Sequence, residues 1–252
     1  MALPGLLTQA QGVVNRVVAA ASSLTENSGQ VLRTDRRGEL YGLPLLNGLQ
    51  AAAQEGSYFA FTQEGVRNTG VNLTAGTGTT YLATQALLLV ANTNQLGGPD
   101  IILDYLTIKI DAVITGGTAW HLYHAMDTGN RYSSGGALMT GYAVNGGGGN
   151  PSGVLAYTGV LTATAATGSV RDVGYNLLLN GVGVAQMILT LKFGAQDANP
   201  GTFTTPTTGV AQTVIPAPPI VIQPGWSYVL NEFQTARSAT GVGEFFMGAY
   251  VR

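Results

Sequence analysis

Cysteine is absent from this chain and formal charge is scarce. Without cysteine there is no disulfide and no thiolate metal site. Lys and Arg number 11, Asp and Glu 13 and His 2, so charged residues make up 10% of the chain. Soluble proteins ordinarily carry about 25%. So few acids, bases and thiols leave little material for catalysis. The sequence also lacks a nucleophile elbow, a His-Glu-x-x-His pair and an acidic calcium loop. The expectation is no enzyme, no cofactor and no metal. A net charge of −2 gives no steering toward nucleic acid or an anionic membrane. Nor does any apolar run reach the ~18 residues of a spanning helix. The strongest run, Ala86 to Ala91, is bounded by Asn92 and Asn94.

What the chain does have is apolar residues, at 45%, and 36 glycines in 252 residues. That is enough for a sizeable core and many tight turns. A surface this thinly charged is easiest to explain where much of it faces other subunits, because charge keeps soluble monomers apart. Composition therefore predicts a structural or binding role and a homo-oligomer.

The chain divides near residue 56. Leu6, Val13, Val14, Val17, Val18 and Leu24 recur near helical spacing and predict an amphipathic helix over residues 1–28. A secretory signal is the weaker reading: no Lys or Arg leads the apolar stretch, and Gln9, Gln11, Asn15 and Arg16 interrupt it. Residues 29–56 read as an irregular arm, broken at Ser28-Gly29, Arg37-Gly38, Leu43-Pro44 and Asn47-Gly48. Residues 57–252 read as strands, starting with 57–62, 79–91, 101–115 and 119–126. Further strands are expected at 136–144, 153–164, 175–179, 184–193, 220–223, 226–232 and 244–251. Gly116-Gly117 reads as a hairpin turn and Asn180-Gly181 as a turn between two strands. In 101–115 the more apolar face carries Ile102, Asp104, Leu106, Ile108 and Ile110. The last strand is apolar on both faces, which predicts a central or covered position. Short, regularly spaced strands without helices between them predict an all-β, jelly-roll-like β-sandwich with an N-terminal helix and extended arm.

Trp120–Asp127 is the strongest candidate for chemistry. Two His three apart share a face on a helix, but on a strand His121 and His124 point to opposite sides and cannot share one metal. Asp127 before Thr128-Gly129-Asn130 reads as a turn aspartate bonding nearby N–H groups. Gly146–Gly149 leads into Asn150-Pro151 and a strand, so it is a loop tip and not a phosphate loop. Arg33, Arg36 and Arg37 form the basic cluster, interleaved with Asp35 and Glu39. As a solvated arm they pair among themselves; at an interface, Arg forks bind carboxylates bidentately. Together with Tyr41, Leu45 and Leu46 they are the interface candidates. One mixed cluster lacks the extended basic face of a nucleic-acid binder.

The arm from Arg33-Thr34-Asp35-Arg36-Arg37-Gly38-Glu39-Leu40-Tyr41 to Leu49, followed by Ala53-Gln54-Glu55-Gly56-Ser57-Tyr58-Phe59, resembles the leading arm of jelly-roll-like virion structural proteins of tailed bacteriophages. There a basic-acidic arm with a Tyr and a Leu-Pro element precedes a glycine-marked first strand. Pro219–Leu230 is similar to late strands of viral jelly rolls, in which a Pro-Gly turn launches a strand. The resemblance implies a virion location and a capsid, decoration or tail component that assembles with itself and with other virion proteins. By analogy three copies are implied, and no catalytic residue carries over. A receptor- or carbohydrate-binding tail-fibre or adhesin module is the alternative. It would use Tyr, Trp and the loops at Gly146–Gly149 or Arg131-Tyr132.

Overall fold

The structure is a computed structural model that describes residues 33–34, 40–41, 48–63, 70–73, 82–112, 119–146, 151–163, 171–179, 188–195, 212–234 and 241–252. The expected helix over 1–28 lies outside the described residues. The chain divides into a unit from Met1 to Ala51 and a larger one from Ala52 to Arg252. In the first unit, β1 (Arg33–Thr34) and β2 (Leu40–Tyr41) pair antiparallel. The stretch read as an irregular arm also holds a helix, α1 (Gly48–Glu55). Its centre is an alanine run, and Gly56 ends it at φ 76°. Gly56 N–H donates to Ala53 C=O at 3.2 Å and Ser57 N–H to Ala52 C=O at 2.9 Å. This is the paired closure that glycine past a helix end permits.

The larger unit is a sandwich. In chain order its strands begin with β3 (Tyr58–Thr62), β4 (Val71–Asn72), β5 (Gln85–Asn92), β6 (Ile101–Ala112) and β7 (Ala119–Asp127). Then come β8 (Tyr132–Leu138), β9 (Thr140–Ala143), β10 (Val154–Ala163), β11 (Arg171–Leu179) and β12 (Ile188–Phe193). The last are β13 (Gln212–Ala217), β14 (Val221–Ile222), β15 (Ser227–Gln234) and β16 (Val242–Val251). One sheet has the order β11-β7-β15-β5-β10-β8; the other has β13-β12-β6-β16-β3-β9, with β14 on β6 and β4 on β16.

Eight of these strands reproduce a jelly roll. Lettered B to I in chain order, β3, β5, β6, β7, β11, β12, β15 and β16 fall into sheets B-I-D-G and C-H-E-F. Strand β13 adds to G in parallel, and the β8–β9–β10 insertion lies between E and F. The expected strand over 136–144 is therefore two strands. The chain leaves one sheet after Leu138 and joins the other at Thr140, with buried Met139 between them. The glycine-marked connections at Gly116-Gly117 and Asn180-Gly181 are not hairpins. They join β6 to β7 and β11 to β12, strands of opposite sheets.

The core lies between the sheets. Leu106, Ile108 and Ile110 of β6 meet Leu88 and Val90 of β5 and Tyr228 and Leu230 of β15 in one cluster. Strand β16 sits between β6 and β3, as its two apolar faces predict. The expected face of β6 is corrected at its start. Gly248 pairs with Tyr105 and Ala249 with Leu103, so Asp104 is left over as a bulge. The bulge shifts the alternation, placing Ile101 and Leu103 in the core and turning Asp104 to the outer side, where it is still only 8% exposed.

Candidate functional site

The histidine strand divides as its spacing requires. His124 is fully buried and faces the core; His121 lies on the outer face. Asn176 of β11 donates from Nδ2 to the Pro216 carbonyl at 3.0 Å, which aims its Oδ1 at His124 Nε2, 2.7 Å away. Nε2 therefore carries the ring hydrogen, and Nδ1 accepts from the Tyr228 hydroxyl at 2.7 Å. Phe193 and Tyr228 pack around the ring. Burial pushes the His124 pKa down to about 4, partly opposed by the bond to Asn176. Burial also pushes the Tyr228 phenol up. His124 is thus a neutral core residue and is not offered as a base or ligand.

His121 belongs to an aromatic cluster on the outer face of β11, β7 and β15. Its Nδ1 is 2.5 Å from the Tyr175 hydroxyl. Ring centroids lie 5.8 Å apart for His121–Tyr175, 5.2 Å for His121–Phe233 and 4.9 Å for Tyr123–Tyr175. Tyr175 is 46% exposed, and Val173 beside it is 40% exposed. On the same side, Leu89, Ala91, Leu161 and Val229 make a second apolar cluster, with Tyr132, Leu155 and Tyr157 packed against it. Gly136 supports this cluster: any side chain there would overlap Leu161.

The turn after β7 follows its sequence signal. Asp127 Oδ1 accepts from Gly129 N–H at 3.2 Å. Asp127 Oδ2 also pairs with Arg131 Nε at 3.3 Å, both side chains being at most 5% exposed. Arg131 donates to the Ala83 carbonyl at 3.0 Å, and Tyr132 stacks on Tyr157 at 3.9 Å. Arg131 is therefore a buried structural brace, and Tyr132 beside it is partly exposed. Of the other expected binding loop, Gly146 closes a turn on Ala143 at 3.1 Å; residues 147–149 lie outside the described residues.

The outer face of the second sheet is polar. Tyr58 donates to Asp104 Oδ2 at 2.8 Å, and Lys192 Nζ pairs with Asp104 Oδ1. Lys109 is 2.9 Å from Asp111 and 3.3 Å from Glu244. Thr107 and Thr190 hydroxyls are 3.0 Å apart. Tyr58 crosses β16 to reach Asp104 because position 248 is glycine: a Cβ there would overlap the Tyr58 hydroxyl and the Tyr105 ring. Burial, then Asp104, pushes the Tyr58 phenol far above its ordinary value, so it stays protonated and serves as a donor. Among the described residues no three His, Asp or Glu are placed to hold a metal.

Of the predicted interface residues, Arg33 in β1 and Tyr41 in β2 are register partners. Arg36, Arg37, Leu45 and Leu46 lie outside the described residues. The aromatic cluster was not legible as a unit. Tyr123, Tyr175 and Phe233 are far apart in the chain, and only the strand order brings them together. Comparison with protein families, curated proteins and solved structures finds no match to this chain.

Proposed function

We propose that this chain is a structural component of a tailed-phage virion that acts by assembling with itself and docking to other virion proteins. The observation that carries the reading is the jelly-roll strand order, B-I-D-G packed on C-H-E-F. Viral capsid domains use this architecture, although a fold alone does not assign a function. Scarce charge and the partly exposed aromatic cluster of Tyr175, Tyr123, His121 and Phe233 add to it, since aromatic residues suit interface cores.

Native mass of the full chain, beside a version lacking residues 1–47, tests the reading. That cut keeps α1, whose end is closed by bonds from Gly56 and Ser57. The expected result is a defined homo-oligomer that shrinks or dissociates on truncation. A monodisperse monomer at high concentration in both cases would sink it.

The second reading, a carbohydrate- or receptor-binding module, rests on the same aromatic cluster. Exposed rings stack on sugar faces, and tyrosine supplies a polar tip. Jelly rolls also serve as lectin domains. Glycan-array binding that Tyr175→Ala abolishes, by a monomeric chain, would favour this reading over the first.

A further inference from the structure

Among the described residues, three polar ties join the sheets through the interior. Gln63, just past β3, donates to Thr158 of β10. Asn92 of β5 donates to the Ile222 carbonyl of β14 at 2.9 Å. The third runs from Tyr228 and His124 through Asn176 of β11 to the Pro216 carbonyl of β13. It differs from the others in holding an imidazole, a ring that can be protonated by acid. It also sits at a tight seam, because a Cβ on Gly174 of β11 would meet the Pro218 side chain at 2.6 Å.

We propose that the His124–Asn176–Pro216 chain is a proton-sensitive latch, and that protonating His124 opens the sandwich along the β11–β13 side. The chemistry follows from the tautomer. Nδ1 is the acceptor for the Tyr228 hydroxyl. A proton on Nδ1 turns that acceptor into a donor, so the Tyr228 oxygen must accept instead and its hydrogen loses its place. Among the described residues, the groups that bond or stack on the ring are all neutral. Strand β11 offers it neutral Asn176, β12 the edge of Phe193 and β13 a backbone carbonyl. On its own strand the core-facing neighbours are Leu122 and Met126. Strand β15 sets Leu230 level with His124 and flanks it with Tyr228, level with Met126, and with buried Glu232, level with Leu122. Lys192 of β12 points to the outer face, where it pairs with Asp104.

The sign is that of a lowered base. Above the ordinary pKa of 6.5, His124 is neutral in both the folded and the open state and contributes no pH dependence. As pH falls from 6.5 towards 4, the open state takes the proton and the closed state does not. From well above 6.5 to well below 4 the closed-to-open ratio falls by about 300-fold in all.

The test is a ring-nitrogen NMR titration of the full-length protein, alongside hydrogen exchange of residues 171–179 and 212–217 corrected for intrinsic rates. The expected result is a neutral, Nε2-protonated His124 at pH 7. Acid opening of both segments should follow its titration and be absent in His124→Gln. An Nδ1-protonated ring, a His124 titrating near 6.5, or the same acid opening in His124→Gln would overturn the latch. Should His124→Gln not fold, opening in the wild type that does not follow the His124 curve would overturn it equally.

Discussion

The two outer faces of the sandwich are made by one rule of alternation and come out opposite in character. On the β12–β6–β16–β3 side, outward positions hold Lys192, Asp104, Lys109, Asp111, Glu244 and Thr107, linked in pairs. On the β11–β7–β15–β5 side, the partly exposed outward positions hold Tyr175, Tyr123, His121 and Phe233, while Val229 and Leu89 are already fully covered. The ion pair described on that second side, Asp127–Arg131, is buried under the turn that contains it. A chain with so few charges has therefore placed most of its described ion pairs on one sheet. The difference separates a face at ease in water from one whose burial would release free energy at about 25 cal/mol per Å².

Breaking the buried pair tests the aromatic side most severely. Arg131→Ala leaves Asp127 buried beside an uncapped Ala83 carbonyl, and should cost about 3–5 kcal/mol in urea denaturation. A cost under about 1 kcal/mol would mean the brace contributes little. On the polar side, Gly248→Val should cost about 2 kcal/mol, because Tyr58 and Tyr105 must both leave their places and Asp104 loses its phenol donor. Adding Tyr58→Phe to it should cost much less than the two separate changes summed, and full additivity would show that the overlap is not what matters. The smallest effect on folding belongs to Tyr175→Ser, within about 0.5 kcal/mol because the ring is half exposed. That variant sharpens the contrast through association: the native mass or glycan binding should change while the melting point hardly moves. A lower melting point with unchanged association would place the ring's role within the fold.

Much of this could be read from the residues. His121 and His124 separate because three is odd, and β16 is central because both its faces are apolar. The unbroken apolar run of β5 is buried throughout, its two sides serving two different clusters. What escaped depends on events that alternation does not record. The bulge at Asp104 shifts the phase of β6 by one residue, and the local sequence Ile-Leu-Asp-Tyr-Leu gives no break to mark it. Met139 carries a change of sheet inside what reads as one strand. Asn180-Gly181 is a sound turn signal, but a turn says nothing about whether the next strand pairs with the last or crosses to the facing sheet. In a jelly roll most connections cross.

Sheet edges carry a last consequence. All four are spoiled as templates for another strand. Strand β8 holds Gly135 and Gly136 at left-handed φ, and β9 is four residues long. Strand β11 has an irregular register between Asp172 and Gly174, and β13 reaches Pro216, which has no N–H to donate. Such edges resist cross-chain β pairing and the fibrils it seeds. A protein with this little surface charge lacks the usual repulsion between copies, and its backbone takes over part of that duty.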